Sequence, residues 1–109
     1  MTKPLDLGAD SFDKEVLEET VPVVVDFWSQ TCPHCQRLNP DFEKAADDDE
    51  SATKFCKVAA QDAMPLFERY QVKAVPTLVI FRDGEELARQ SGYRTAEQIL
   101  EWLKEQLQL

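Results

Sequence analysis

The sequence predicts an α/β domain in which helices flank a mixed β-sheet. Short apolar runs typical of buried strands alternate with segments that have the 3.6-residue periodicity of amphipathic helices, and this alternation favours parallel strands joined by helical crossovers. Near the end of the chain, Asp83-Gly84 separates two strand-like runs, which is a strong signal for an antiparallel hairpin. The predicted order of elements is βαβαβαββα.

In the first half of the chain, the pattern predicts a central strand between two helices. Leu5 and Leu7 indicate a short edge strand, and Asp10 or Ser11 offers an N-cap for the helix that follows. Residues 23–27 are apolar on both faces of the pleat except at Asp26, as in a central strand covered by helices on both sides. Helical periodicity resumes after residue 35, so we expect a second helix there.

In the second half, a strand and a short helix precede the hairpin and a final helix. Residues 53–58 form the strand, and Pro65 suits the first turn of the short helix. Thr95 and Gln98 fit a capping box at the start of the last helix. The predicted buried stripe of that helix is apolar: Ala96, Ile99, Leu100, Leu103 and Leu107.

The length of the chain limits the number of domains, and its charge limits the classes of partner that it can bind. With 109 residues, 43% of them hydrophobic, the chain can build one core, so we expect a single domain at 1–109. The net charge of -9 argues against nucleic acid and anionic membranes as partners, because both need clustered Lys and Arg. Residues 1–6 lack the apolar core of a secretion signal, although a signal already removed would leave no trace. We expect a cytoplasmic monomer.

Cys32 and Cys35 lie where the central strand passes into the second helix. Positions i and i+3 on a helix are neighbours, with Cβ atoms about 5–6 Å apart, and a disulfide needs Cα atoms about 4.4–6.8 Å apart. The two thiols can therefore form a bridge with little backbone movement. Cys35 falls on the inward face of the helix, so Cys32 should be the more exposed cysteine. A Cys-x-x-Cys pair in this context indicates a redox motif. We expect no metal, because a zinc site normally needs four ligands and the chain has only one other Cys and one His.

Several separated motifs resemble those of the thioredoxins over essentially the whole chain. The matching positions are Asp10-Ser11-Phe12, Val25-Asp26-Phe27-Trp28, the Cys-x-x-Cys pair, Pro40, Lys57, Val75-Pro76-Thr77-Leu78, Asp83-Gly84 and Gly92. The resemblance implies the thioredoxin fold, with a five-stranded mixed sheet in the order 1-3-2-4-5 flanked by four helices. It also implies thiol–disulfide exchange on protein substrates, with electrons from a flavoprotein thioredoxin reductase and no cofactor bound to this chain.

In that chemistry, Cys32 attacks a substrate disulfide as a thiolate, and Cys35 resolves the mixed disulfide to leave a Cys32–Cys35 bridge. The helix N-terminus favours the thiolate at Cys32 rather than at Cys35. Asp26 should be desolvated and its pKa raised, and the resemblance implies that it exchanges a proton with Cys35 while Lys57 lies nearby. From the residues alone, Asp26 could equally be a strand-end carboxylate that reaches solvent.

The residues between the cysteines, Pro33 and His34, depart from the usual Gly-Pro pair and match the pair in the bacterial oxidant DsbA. An imidazole in the first helical turn can donate a hydrogen bond or place a cation beside the Cys32 sulfur. Our hypothesis is that His34 stabilises the thiolate and makes the protein a weaker reductant than its common relatives. The alternative for His34 is a solvent-facing side chain without effect on the sulfur. For the protein as a whole, the alternatives to a reductase are a net oxidant or disulfide isomerase, and a non-catalytic interaction module.

The resemblance also implies a substrate groove around the thiols. The family's proline at the position of Pro76 is cis and lies against the thiol pair, and the backbone before it, at Val75, is free to pair with an extended substrate. Trp28 should pack beside the thiols as a half-buried ring, or it serves the core alone. The residues that we assign to substrate binding are Trp28, Thr31, Pro33, Val75, Pro76, Gly92 and Tyr93. Cys56 is expected to be a small buried apolar residue.

Overall fold

A computed structural model describes residues 3–108 and shows a mixed sheet of five strands. The strands are β1 (Leu5–Leu7), β2 (Val23–Trp28), β3 (Lys54–Ala59), β4 (Thr77–Arg82) and β5 (Glu85–Ser91). Their order is β1-β3-β2-β4-β5, so the predicted fold class and strand order are confirmed. The predicted domain of 1–109 extends beyond the described residues at both ends.

Four helical segments cover the two faces of the sheet. They are a π-helical turn (Asp13–Leu17), α1 (Pro33–Asp48), α2 (Ala60–Arg69) and α3 (Ala96–Leu107). The π-helical turn and α2 contribute to the apolar core on one face, and α1 and α3 contribute to the core on the other. Within residues 3–108, no helix combines the length and the apolar character needed to cross a bilayer.

Strand β2 is central, as predicted, and the alternation of its side chains fixes the face on which Asp26 lies. It pairs in parallel with β3 and antiparallel with β4. Val23, Val25 and Phe27 enter the core under the π-helical turn and α2, whereas Val24 enters the core under α1 and α3. Because successive strand residues point to opposite faces, Asp26 lies on the same face as Val24, beneath α1 and α3.

The first helix differs from the prediction because it starts later and is a single π-helical turn. Phe12 is its N-cap residue, and neither Asp10 nor Ser11 caps it. Ser11 Oγ accepts a hydrogen bond from the Gly8 backbone N–H at 3.1 Å instead, which is the local competition that short polar side chains offer to helix formation. Phe12 and Val16 are both buried, and Leu17 is partly buried against the same core, so the segment still directs its apolar side chains inward.

Helix α2 has a break that the sequence pattern did not reveal. Ala63 has φ -150° and ψ 46°, which interrupts the helical backbone. Pro65 then falls in the first turn of the part that resumes after Ala63, where its missing N–H leaves no hydrogen bond unmade. Its predicted position at a helix start is therefore confirmed for this second part.

The predicted hairpin and capping box are both present. Asp83 and Gly84 have positive φ values of 53° and 81°, as the two central residues of a tight β-hairpin turn require. The β4–β5 register contains an irregularity between Ile80 and Phe81. At the start of α3, Thr95 Oγ1 accepts the Gln98 N–H at 3.2 Å and Gln98 Oε1 accepts the Thr95 N–H at 2.9 Å.

Candidate active site

The N-terminus of α1 holds the two thiols in different environments. Cys32 is the N-cap residue, and its Sγ accepts a hydrogen bond from the Cys35 backbone N–H at 3.1 Å. Pro33 occupies the first helical position, where a missing N–H costs nothing. Both cysteines are free thiols; Cys32 is partly exposed, and Cys35 is 1% exposed. The predicted difference in exposure between the two sulfurs is confirmed.

Burial keeps the inner thiol protonated. Burial contributes most to a rise in the pKa of Cys35 to about 12, and the hydrogen bond with Cys32 adds to it. Part of the same rise comes from the nearby Asp26 carboxylate, because two negative charges close together repel. Cys35 therefore needs a proton acceptor before it can act as a nucleophile near neutral pH.

The loop before β4 forms one wall beside the outer thiol. The Val75–Pro76 peptide bond is cis, as the resemblance implied, and the Val75 carbonyl oxygen lies 3.7 Å from Cys32 Sγ. The Gly92 N–H donates to the Pro76 carbonyl at 2.9 Å, and Gly92 has φ +96°, a conformation that favours glycine. Val75, Pro76 and Gly92 are thus brought together with Cys32, as the predicted groove requires.

Asp26 is buried beneath α1 and does not reach solvent. It is 1% exposed, and neither carboxylate oxygen has a hydrogen-bond partner in the part of the chain that the structure describes. Desolvation raises the pKa of Asp26 to about 7, and the positive charge of Lys57 partly opposes that rise. The prediction of a desolvated carboxylate with a raised pKa is therefore confirmed. The alternative of a solvent-reaching strand end is wrong for this residue.

Lys57 lies beside Asp26 in the sheet register but bonds elsewhere. Asp26 and Lys57 are partners in the parallel pairing of β2 and β3. The Lys57 ammonium donates to Asn39 Oδ1 on α1 and lies 4.7 Å from the centroid of the Trp28 ring, within the range of a cation–π contact. The sequence analysis did not identify Asn39. The one indication in the sequence is that a polar residue lies four positions after Cys35 on the same helix.

Trp28 joins the site through its ring. The residue is half-buried, and its Nε1 is buried without a hydrogen-bond partner among residues 3–108. Its ring makes a cation–π contact with the Lys57 ammonium. Trp28 therefore helps to position Lys57 as well as contributing to packing.

His34 and Thr31 lie on the outer surface of the site. Both are exposed. Thr31 Oγ1 lies 3.2 Å from Ser29 Oγ, whereas the His34 side chain takes part in no hydrogen bond with other described residues. The placement of His34 matches the solvent-facing alternative, and its effect on the Cys32 sulfur stays a prediction.

Tyr93 is fixed at the far side of the site by two residues of α1 that the sequence reasoning missed. Its hydroxyl donates to Asp41 Oδ2 at 2.7 Å, and the Arg37 guanidinium carbon lies 4.4 Å from its ring centroid. The other Asp41 oxygen accepts the N–H of Ala96, the first residue of α3, at 3.0 Å. The hydrogen bond to Asp41 raises the pKa of Tyr93. Tyr93 is therefore held against α1 rather than free to swing over the groove.

The third cysteine lies on the other face of the sheet. Cys56 is fully buried in the core under the π-helical turn and α2, and burial raises its pKa to about 12. It is the small apolar core residue that was predicted. No group of three or more His, Cys, Asp or Glu residues within 3–108 is arranged to hold a metal ion.

The chain is similar to thioredoxins and to part of a protein disulfide-isomerase. A family model described as Thioredoxin matches residues 3–105. A thioredoxin of Rickettsia bellii (strain RML369-C) is 32% identical over 93 residues, which cover 85% of this chain and 89% of the relative. A thioredoxin of Pyropia yezoensis is 36% identical over 75 residues, which cover 69% of this chain and 70% of the relative. A protein disulfide-isomerase of Triticum aestivum is 38% identical over 109 residues, covering 94% of this chain and 21% of the relative.

Proposed function

The chain belongs to the thioredoxin family and is a protein thiol–disulfide oxidoreductase, and we propose that it reduces disulfide bonds in other proteins with Cys32 as nucleophile and Cys35 as resolving thiol. The observation that carries the assignment of roles is the asymmetry of the pair. Cys32 Sγ is at the helix N-terminus and partly exposed, and it accepts the Cys35 N–H at 3.1 Å, whereas Cys35 is buried.

The first step forms a mixed disulfide. The Cys32 thiolate attacks one sulfur of the substrate disulfide, so that a bond forms between Cys32 and that sulfur while the substrate S–S bond breaks. The other substrate sulfur leaves as a thiolate and takes a proton from solvent. The unpaired N–H groups of the first turn of α1 stabilise the negative charge on Cys32 before attack.

The second step regenerates the bridge and releases the substrate. Cys35 gives its proton to the Asp26 carboxylate, and its sulfur attacks Cys32 Sγ to form the Cys32–Cys35 disulfide. The second substrate sulfur leaves as a thiolate and takes a proton from solvent, and Asp26 later returns the Cys35 proton to solvent, so the substrate gains two electrons and two protons in total. Asp26 suits this role because its pKa of about 7 lets it accept and return a proton near neutral pH.

The groove and the electron supply complete the proposal. An extended substrate segment pairs with the backbone at Val75 and lies between Trp28, Thr31 and Pro33 on one side and Pro76, Gly92 and Tyr93 on the other. The oxidised protein is returned to the dithiol by a flavoprotein thioredoxin reductase in the cytoplasm, and no cofactor is bound by this chain. Similarity to thioredoxins over 85% of the chain supports disulfide-containing substrates.

Mixed-disulfide trapping tests the division of roles. In the Cys35→Ser variant, the attack by Cys32 still occurs but resolution does not, so the variant should accumulate a covalent adduct with a disulfide-containing substrate such as insulin. The Cys32→Ser variant should form little adduct, and only the wild type should catalyse insulin reduction by dithiothreitol. Equal adduct yields from the two variants would refute the assignment of nucleophile and resolving thiol.

A second candidate is a net oxidant or disulfide isomerase. It is favoured by Pro33 and His34 between the thiols and by the 38% identity to a protein disulfide-isomerase. If the His34 imidazole stabilises the Cys32 thiolate, the reduced form is favoured and the couple becomes more oxidising. A tenfold change in the equilibrium with glutathione corresponds to about 30 mV.

Equilibration with glutathione buffers separates the two candidates. We expect His34→Gly to raise the equilibrium constant for oxidation by glutathione about tenfold, so that the oxidised fraction rises at a given buffer. Gln36→Ala changes an exposed residue of the same helix that is not part of the proposed groove, and it is the matched control. Equal potentials for wild type and His34→Gly would remove the argument for an oxidising role and leave an ordinary reductase.

A further inference from the structure

The position of Lys57 beneath α1 needs an explanation, because carboxylates flank it in the sheet and it pairs with neither. Its register partner on β2 is Asp26, and its register partner on β1 is Asp6. The ammonium instead bonds to the neutral amide oxygen of Asn39 and lies over the Trp28 ring. Among the described residues, both Asp26 oxygens remain without a hydrogen-bond partner.

The amide of Asn39 is itself oriented by α1. Its Nδ2 donates to Glu43 Oε2 one turn later, at 3.4 Å, which directs its Oδ1 to the other side, where Lys57 Nζ binds. Helix periodicity explains the arrangement: Cys35, Asn39 and Glu43 are spaced by four residues and follow one another along one side of the helix.

Within residues 3–108, the titratable groups that interact with Asp26 come from β3 and α1. Strand β3 contributes Lys57, and α1 contributes the Cys35 thiol. Strand β4 places Leu78 opposite Asp26 in the register. Helix α3 contributes apolar side chains to the core on this face: Ala96, Ile99, Leu103 and Leu107. Apart from burial, the position of the Lys57 ammonium therefore has the largest effect on the pKa of the Asp26 carboxyl group.

We propose that Asn39 is a positioning residue that holds the Lys57 ammonium over Trp28 and away from the Asp26 carboxyl group. In the absence of the Asn39 oxygen, Lys57 pairs with Asp26 rather than with the exposed Asp6, because attraction between charges is stronger in a buried, weakly polar environment than at the surface. An Asp26 carboxylate paired with Lys57 is too weak a base to take the Cys35 proton, so the substrate is released more slowly. This consequence rests on the proposed function.

Carboxyl-carbon NMR titration of Asp26 in the reduced protein tests this proposal without any substrate. An opposite charge within about 4–6 Å lowers the pKa of a carboxyl group by about 1–3 units. We therefore expect Asn39→Leu to move the Asp26 titration midpoint downward by about one pH unit or more. Asn39→Asp keeps an acceptor for Lys57, so its midpoint should lie at or above that of the wild type.

Three further variants isolate the cause. In a Lys57→Met background, Asn39→Leu should cause no further shift, because the displaced cation is missing. In an Asp6→Asn background, the shift should persist. Gln36→Leu removes an exposed amide from the same helix that bonds to Gln30 rather than to Lys57, and its midpoint should match the wild type.

An unchanged or raised Asp26 midpoint in Asn39→Leu would overturn the proposal, as would the same shift in the Lys57→Met background. If Asn39→Leu fails to fold, Asn39→Ala provides the same comparison. A wild-type protein that does not reduce insulin would overturn the proposed function and leave this titration result standing, so the two failures are distinguishable.

Discussion

Replacement of Asp26 by asparagine should stabilise the fold progressively as the pH rises. Folding moves Asp26 from water to a site where it is 1% exposed and lacks a hydrogen-bond partner among residues 3–108. Its pKa rises from an ordinary value of 3.8 to about 7 as a result, mainly through desolvation. The folded protein thus holds a proton that the unfolded chain has already released, and this proton becomes costly to keep as the pH increases.

The sign and the pH window follow from those two values. Below pH 3.8, Asp26 is protonated in both states, and its contribution to stability is fully present. That contribution is lost as the pH rises from 3.8 through about 7, because the folded state binds the extra proton in this interval. At about 1.36 kcal/mol per pH unit, the loss approaches about 4 kcal/mol above pH 8. The asparagine side chain does not titrate, so the Asp26→Asn variant escapes this loss.

Urea denaturation between pH 4 and pH 9 measures the effect. Both proteins should carry Cys32→Ser and Cys35→Ser so that no active-site thiol titrates in the window. An unpaired buried amide has a cost of its own, about 1–3 kcal/mol, but this cost does not vary with pH. The quantity to follow is therefore the change with pH in the difference between the two free energies of unfolding.

Asp6 provides the matched control. Like Asp26 it is a register partner of Lys57, but it is exposed, and Asp6→Asn should show a nearly constant difference from its parent over the same range. A difference for Asp26→Asn that stays constant from pH 4 to pH 9 would refute the claim that a desolvated carboxyl group controls stability here.

Three further predictions concern the thiols and the groove. Iodoacetamide should label Cys32 in the native reduced protein well before Cys35, as peptide mass spectrometry would show; equal labelling would contradict the difference in exposure. Asp26→Asn should slow the resolving step in single-turnover reduction of a disulfide substrate, and an unchanged rate would argue against proton transfer to this carboxylate. Tyr93→Phe removes the hydrogen bond to Asp41 and should lower the urea midpoint, whereas a wild-type midpoint would show that this bond contributes little to stability.

Much of the fold was predictable because its signals are local or periodic. The Asp83-Gly84 turn and the capping box at Thr95 depend on a few adjacent residues, and the inward position of Cys35 follows from helical spacing. The pleat of β2, apolar on both faces except at Asp26, likewise indicates a central strand covered by helices on both sides.

What the sequence did not reveal depends on contacts between distant segments. Asn39 and Lys57 are 18 residues apart and meet because α1 packs over β3. Asp41 and Tyr93 are 52 residues apart, and nothing near either residue indicates its partner. Two departures are local: Ser11 Oγ bonds to the Gly8 N–H instead of capping a helix, and α2 breaks at Ala63.

The two outer strands of the sheet affect how the molecule behaves in crowded solution. Exposed strand edges invite pairing with other chains, and proteins counter this with short edges, charged side chains and irregular register. Here one edge, β1, has 3 residues, and the other, β5, carries the Glu86–Arg89 ion pair beside an irregular pairing with β4. Both edges therefore carry features that disfavour intermolecular sheet extension.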